Sequence, residues 1–204
     1  MKDERETRQR LLACAKKEFM DKGYTAASLR GICRKADVTT GALYFFFKDK
    51  ADLFAALVEE PVNRLYELMT NHYRDEINTE LQDIHEEINM TNDIKAAIDI
   101  LHYMYQNYDE FWLVLERSQG SGYESCKDRF VDITQKHYRI LADRICRQRN
   151  YPLLDDYVLH WMAHMHIDTV IHMLTHEPSE ETACRHMEQT VRYLVSGFYG
   201  MLQP

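Results

Sequence analysis

The sequence predicts an all-α protein, with a three-helix N-terminal domain at 1–48 joined to a larger helical domain at 49–204. Three observations predict it. Apolar residues recur at helical spacing over nearly the whole chain. Only four prolines and seven glycines interrupt 204 residues, too few for long loops or a strand-rich sandwich. Ten methionines suit a helical core that packs adaptably. The composition, 45% apolar and 28% charged, is that of a folded soluble chain. No stretch approaches 18 apolar residues, so no membrane span is expected. MKDERETRQRLL, at the start, lacks the apolar run of a secretory signal. Five cysteines, at 14, 33, 126, 146 and 184, form no CxxC pair and fit a reducing cytoplasm.

Each element has a local reason. Leu11, Leu12, Ala15 and Phe19 share a helical face, and Gly23 closes that helix by tolerating the left-handed conformation. Ser28 is placed to cap a second, short helix whose face is Leu29, Ile32, Cys33 and Ala36. The acidic residue usual three positions after such a cap is missing, because Gly31 stands there. Asp37-Val38 makes a tight turn. Thr39 caps a third helix, in which Ala42, Leu43 and Phe46 are apolar. Asp49 caps a fourth, carrying Lys50, Leu53, Phe54, Leu57, Val58, Leu65 and Leu68. Two short helices separated by about three residues have the spacing of a helix-turn-helix, whose second member enters the major groove. So small a unit buries little core and must lean on the fourth helix.

Beyond it, a weaker amphipathic stretch covers 79–88. Further helices are expected near 93–107 with Asn92 as cap, 109–118, 123–149, 153–175 and 179–202 with Ser179 as cap. Gly120-Ser121-Gly122 is the clearest loop.

Charge is uneven. Residues 1–50 carry 12 Lys/Arg and 7 Asp/Glu, a net +5, while the remainder carries 13 and 26, a net −13. Chance can produce such a split, but a basic head on an acidic body also suits phosphate contact with little non-specific adhesion.

Residues 19–54 read FMDKGYTAASLRGICRKADVTTGALYFFFKDKADLF. This segment resembles the N-terminal signature of the TetR family of bacterial transcriptional regulators. Phe19, Gly23-Tyr24, Leu29, Arg30, Ile32, Ala36, Val38, Thr39, Gly41-Ala42-Leu43-Tyr44, Phe47, Lys50, Leu53 and Phe54 carry the resemblance. Three positions depart from it: Phe46 stands where the family often has histidine, Asp37 where it has a turn glycine, and Cys33 where alanine is common. Aspartate can still visit the left-handed region, so the turn is expected to survive. The resemblance implies an N-terminal three-helix helix-turn-helix domain joined to a larger helical ligand-binding and dimerisation domain. It implies a homodimer through the last two helices, double-stranded DNA as partner and a small-molecule effector.

The third helix should meet DNA. Thr39, Thr40 and Ala42 are short enough to let its axis approach base edges, by hydroxyl or methyl contact. Gly41 permits close approach or is simply a small packing position. Tyr44 can give its hydroxyl to a phosphate with its ring packed inward, or be core alone. Lys48 and Lys50 can clamp a phosphate at the start of helix four, as can Ser28 and Arg30 at helix two, with an ordinary solvated lysine as the alternative for Lys50. An N-terminal arm of Lys2, Arg5 and Arg8 can add minor-groove or phosphate contacts. A palindrome needs two heads. Val158, Met162, Met165, Thr169 and Met173 form one stripe, and Met187, Val191, Leu194, Val195, Phe198, Met201 and Leu202 another. These stripes suit either a four-helix dimer interface or internal packing.

In the body, Tyr103, Trp112, Phe130, His137, Trp161 and Met165 are the expected walls of the effector pocket that the resemblance implies, though any one can be core. His160, His164, Asp168, His172 and His176 recur every four residues with His166 between them. Neighbouring pairs have ligand spacing, but the stripe drifts around the helix and no HExxH pattern occurs. A polar or pH-sensitive stripe is the plainer reading, and no metal or cofactor is expected. No nucleophile–base order, phosphate loop or dinucleotide fingerprint suggests an enzyme. The expectation is therefore a ligand-responsive repressor, with an activator or protein-contact regulator as the alternative.

Overall fold

The computed structural model describes residues 2–78 and 90–203, so the stretch expected at 79–88 lies outside the described residues. Among the described residues nine helices are found. They are α1 (Lys2–Ala26), α2 (Leu29–Ala36), α3 (Thr40–Phe46), α4 (Lys50–Asn78), α5 (Thr91–Gln106), α6 (Tyr108–Glu116), α7 (Cys126–Arg149), α8 (Asp156–His176) and α9 (Glu180–Met201). None is long and apolar enough to cross a membrane.

The expected punctuation is present. Gly23 breaks the helical dihedrals of α1 at φ 73° and ψ 166°. Asp37 closes α2 in the left-handed region, at φ 53° and ψ 50°. Ser179 caps α9, its hydroxyl accepting from the Thr182 N–H at 3.3 Å. Asp49 accepts from the Asp52 N–H at 2.8 Å, and Asp52 in return accepts from the Lys48 N–H at 2.9 Å, a reciprocal cap for α4. Two details differ. Asn92 lies inside α5 and does not cap it, because that helix begins at Thr91. The fourth helix continues to Asn78 through Pro61, which takes its place inside the helix without an N–H to donate.

The chain divides into two units, Met1–Arg64 with Asn107–Cys126, and Leu65–Gln106 with Lys127–Pro204. The boundary expected at 48/49 is therefore not where the packing changes. Three short helices cannot bury enough apolar surface alone. The first half of α4 and the whole of α6 complete the first unit. Its core includes Leu11, Phe19, Ile32, Leu43, Leu53, Phe54 and Leu113, all fully buried. The Phe54 ring meets Phe19 edge-on at 5.0 Å and Tyr24 at 5.3 Å, with Tyr123 at 6.0 Å. On α1, Lys16 pairs with Asp109 at 3.1 Å and Glu110 at 2.6 Å of α6. The Tyr24 N–H donates to the Arg117 carbonyl at 2.8 Å.

The second unit packs α5 and α8 against α9. One cluster joins Leu141, Ile145, Leu159, Met162, Phe198 and Leu202, and another Leu101, Ala183, Met187 and Val191. Several residues expected at a dimer interface thus face inward. Met162, Met187, Val191, Phe198 and Leu202 fill their own subunit, because each helix turns its most apolar stripe to the nearest helices of its own chain. On α8 and α9 the outward apolar residues include Tyr157, Trp161, Tyr193 and Met201, and Ile140 of α7 and Leu153 are exposed as well.

Removing the Phe54 ring should cost the first unit about 3–5 kcal/mol, the usual result of truncating a buried aromatic. In a Trp161→Phe background Trp112 is the remaining indole and belongs to that unit. Its fluorescence in a urea titration should show a clearly lower midpoint for Phe54→Ala.

Candidate nucleic-acid interface

The two short helices are set by a carboxylate that lies ten residues upstream. Glu18 is fully buried on α1. Its Oε1 accepts from Lys22 Nζ at 2.6 Å and from the Ser28 N–H at 3.4 Å, and its Oε2 accepts from Lys35 Nζ at 2.8 Å. Ser28 in turn caps α2, its hydroxyl accepting from the Gly31 N–H at 3.2 Å. Glu18 thus does from α1 what the missing third-position acid would do within α2. Gly31 leaves room for this, since a Cβ there would lie 3.3 Å from Glu18 Oε1 and crowd it by a few tenths of an ångström. The ammonium groups of Lys22 and then Lys35 outweigh the opposing effect of burial and hold the Glu18 carboxyl at about 2.

Helix α3 follows the turn at Asp37. Thr39 caps it, its hydroxyl accepting from the Ala42 N–H at 3.1 Å. Leu43 and Phe47, four apart, are the inward anchors. Thr39, Thr40, Gly41, Tyr44 and Phe45 are exposed, and Ala42 is half-buried. Ser28, Arg30 and Lys48 are also exposed. The structure therefore brings eight of the nine expected contact residues to accessible positions around α2 and α3.

Lys50 is the exception. Its ammonium donates to the carbonyls of Tyr24 at 2.8 Å, Thr25 at 3.1 Å and Ala27 at 3.5 Å, and lies 4.6 Å from the Tyr24 ring centroid. With its three donors used, it ties α4 to the end of α1 and is not a phosphate clamp. Two further expectations change. Tyr44 is 56% exposed, so its ring is not packed inward. Lys2, Arg5 and Arg8 belong to α1 and do not form a free arm, and the Arg8 guanidinium sits 5.4 Å from the Phe47 ring centroid. Phe45, 72% exposed, was given no role by sequence reasoning. The helical period places Phe45 nearly opposite Leu43, so with Leu43 inward Phe45 projects outward.

The six expected pocket walls are divided between the two units. Trp112 is in the first unit, stacked on Tyr108 at 5.8 Å. Tyr103, Phe130, His137, Trp161 and Met165 are in the second, where Phe130 and His137 are buried and Trp161 is half-exposed. The histidine stripe of α8 does not converge either. His160 bonds Gln135 at 2.9 Å, Asp168 pairs with Lys127 at 2.6 Å, and His172 stacks on His176 at 4.2 Å. His166 bonds the Tyr138 hydroxyl at 2.9 Å, and burial, together with the His137 and His72 imidazoles, holds it down at about 4. A different set gathers on α4 and α5: one ligand atom each from His72, Glu76 and Asp93 lies within 4.8 Å of the others. Burial lowers the His72 imidazole, but Asp93, Glu76 and Asp75 raise it by more.

A family model described as bacterial regulatory proteins, tetR family, matches residues 11–57. The chain carries the helix-turn-helix domain of the TetR family. The HTH-type transcriptional regulator AcrR of Shigella flexneri is 43% identical over 63 residues, which are 31% of this chain and 29% of that protein. The HTH-type transcriptional repressor BepR of Brucella suis is 40% identical over 53 residues, 26% of this chain and 25% of that one. The matches thus span less than a third of either relative. Over the whole fold, the structure of NalD, the secondary repressor of the MexAB-OprM multidrug efflux pump in Pseudomonas aeruginosa, is similar at TM-score 0.61 and 17% identity. It covers 95% of this chain and 97% of its own. Salmonella enterica GusR gives TM-score 0.57 at 18% identity, covering 94% of each chain. The TetR-family helix-turn-helix and an all-helical C-terminal part together account for the described fold.

The Glu18 contacts predict a pH signature. A carboxyl held at about 2 contributes stability in full above its ordinary 4.5 and loses it as pH falls towards 2. Glu18→Gln should cost the first unit about 2 kcal/mol at pH 7, the scale of hydrogen bonds to a charged group. The gap between wild type and variant in urea midpoint should narrow steadily as pH falls from 4.5 towards 2, and a pH-independent gap would contradict the assignment.

Proposed function

We propose that this TetR-family transcriptional regulator is a repressor that binds a palindromic duplex operator as a homodimer. Its contact helix is α3, and a small molecule bound in the second unit releases it. One observation carries the reading: α3 presents Thr39, Thr40, Gly41 and Tyr44 outward while Leu43 and Phe47 anchor it from behind. A slim, polar-tipped helix face of this kind can approach base edges. Ser28, Arg30 and Lys48 flank it as phosphate partners, and Ala42 and Phe45 offer apolar contact to a thymine methyl. No arginine or asparagine lies within α3, so hydroxyl, methyl and shape effects set the sequence preference.

The names of BepR and NalD as repressors support the sign of regulation. For the dimer, the support is the outward apolar set on α8 and α9, Tyr157, Trp161, Tyr193 and Met201, for which a second copy of this chain is the proposed occupant. The effector is placed in the second unit, among Tyr103, Phe130, His137 and Met165, and acts by favouring a head spacing that misses the palindrome. The protein acts in the cytoplasm, where its operator lies.

Selection of bound sequences from a random duplex pool tests the core of this reading. Enrichment of an inverted repeat is expected, and no enrichment would overturn it. Arg30→Ala and Lys48→Ala should weaken binding to every duplex and each reduce the salt slope by about one. Thr40→Ala should instead change the selected sequence. Replacing both Trp161 and Tyr193 by Glu should give a monomer in sedimentation and lower operator affinity more than about tenfold, through loss of the linked second head.

A further inference from the structure

We propose that the second unit binds one divalent transition-metal ion of the zinc class through His72, Glu76 and Asp93. His72 and Glu76 stand one turn apart on α4, and Asp93 is in the first turn of α5. His72 Nε2 is 3.4 Å from Asp93 Oδ1 and 3.9 Å from Glu76 Oε2. Neighbouring ligands of a tetrahedral zinc ion, with bonds near 2.1 Å, lie about 3.4 Å apart. The His72–Asp93 distance already has that value, and the His72–Glu76 distance needs only a small side-chain adjustment.

The charges favour a cation. Among the described residues, Glu76 is paired with His72 and His137, and Asp93 with His72. Two carboxylates thus face imidazoles and no lysine or arginine. Imidazole with carboxylate is the donor set that zinc and its neighbours accept, whereas calcium and magnesium favour oxygen alone.

His137 holds one of the three ligands in place. It is 4% exposed and stacked face to face on Tyr73, with ring centroids 4.0 Å apart. Its Nε2 lies 2.8 Å from Glu76 Oε2, while its Nδ1 is buried with no hydrogen-bond partner. Tyr73 is itself fixed, its hydroxyl 2.9 Å from Thr134 Oγ1. The stack and the Glu76 contact aim one imidazole at one carboxylate, the arrangement in which an outer residue orients a metal ligand. We assign His137 as that positioning residue and leave the fourth coordination position to water. His72, Glu76 and Asp93 are each between 21% and 27% exposed, so an ion can enter.

The test uses the full chain, stripped with chelator and titrated calorimetrically with zinc, then with cobalt as an absorbing probe. One ion per chain is expected, with a cobalt spectrum free of thiolate charge transfer. Asp93→Asn and His72→Gln should each weaken zinc binding about 100-fold, and His137→Phe about 10-fold. His164→Gln, on the α8 stripe, should leave it unchanged. Circular dichroism checks that each variant is folded. Asp93→Asn, at a partly exposed position, keeps the test open if His137→Phe fails to fold. Absence of binding, thiolate charge transfer, or unchanged affinity in both Asp93→Asn and His72→Gln would overturn the site. None of these outcomes bears on duplex binding, which stands or falls on the random-pool selection.

Discussion

The placement of α2 and α3 depends on one buried carboxylate. Glu18 links α1 to the first N–H of the α2 cap and to Lys35 at the other end of α2. It therefore restrains that helix at both ends. Because α3 follows after a turn of a few residues, any rotation of α2 carries α3 with it. A buried carboxylate without partners would be strongly destabilising. The same groups that neutralise Glu18 are the ones whose placement matters, so electrostatic satisfaction and geometry are a single requirement. Lys50 applies a second restraint of the same kind, collecting three carbonyls at the end of α1, where a helix leaves acceptors unsatisfied.

What was legible in the sequence was local. Ser28, Thr39, Asp49 and Ser179 cap helices because a short side chain reaches an N–H two or three residues on, and that geometry depends on nothing distant. Gly23 and Asp37 likewise declare their backbone conformation by residue type. The helix-turn-helix was readable for this reason. What was not legible was pairing across the chain. Gly31 read as a missing cap partner, whereas its bareness makes room for a partner from α1. Lys50 read as a surface cation, because nothing in its neighbourhood in sequence names carbonyls 23 to 26 residues away.

The same limit governs the second unit. Periodicity identified apolar stripes on α8 and α9, but two stripes on one helix look alike until its neighbours are known. Met162 and Phe198 went inward, and Trp161 and Tyr193 outward. The α8 histidines drew attention through their four-residue rhythm, yet His72 and Asp93, 21 residues apart and on different helices, are the ones that meet. The partition of charge is consistent with this division of labour. Residues 1–50 are net basic and the remainder net acidic, a split that suits phosphate contact at one end and limits non-specific adhesion at the other.

The most direct test of the central claim is hydroxyl-radical footprinting of the protein, free and saturated with its selected duplex. The account predicts that oxidation of Tyr44 and Phe45 on α3 falls sharply in the complex, while the Tyr108 and Trp112 rings of α6 react as before. Equal labelling of Tyr44 and Phe45 in the two states would contradict it.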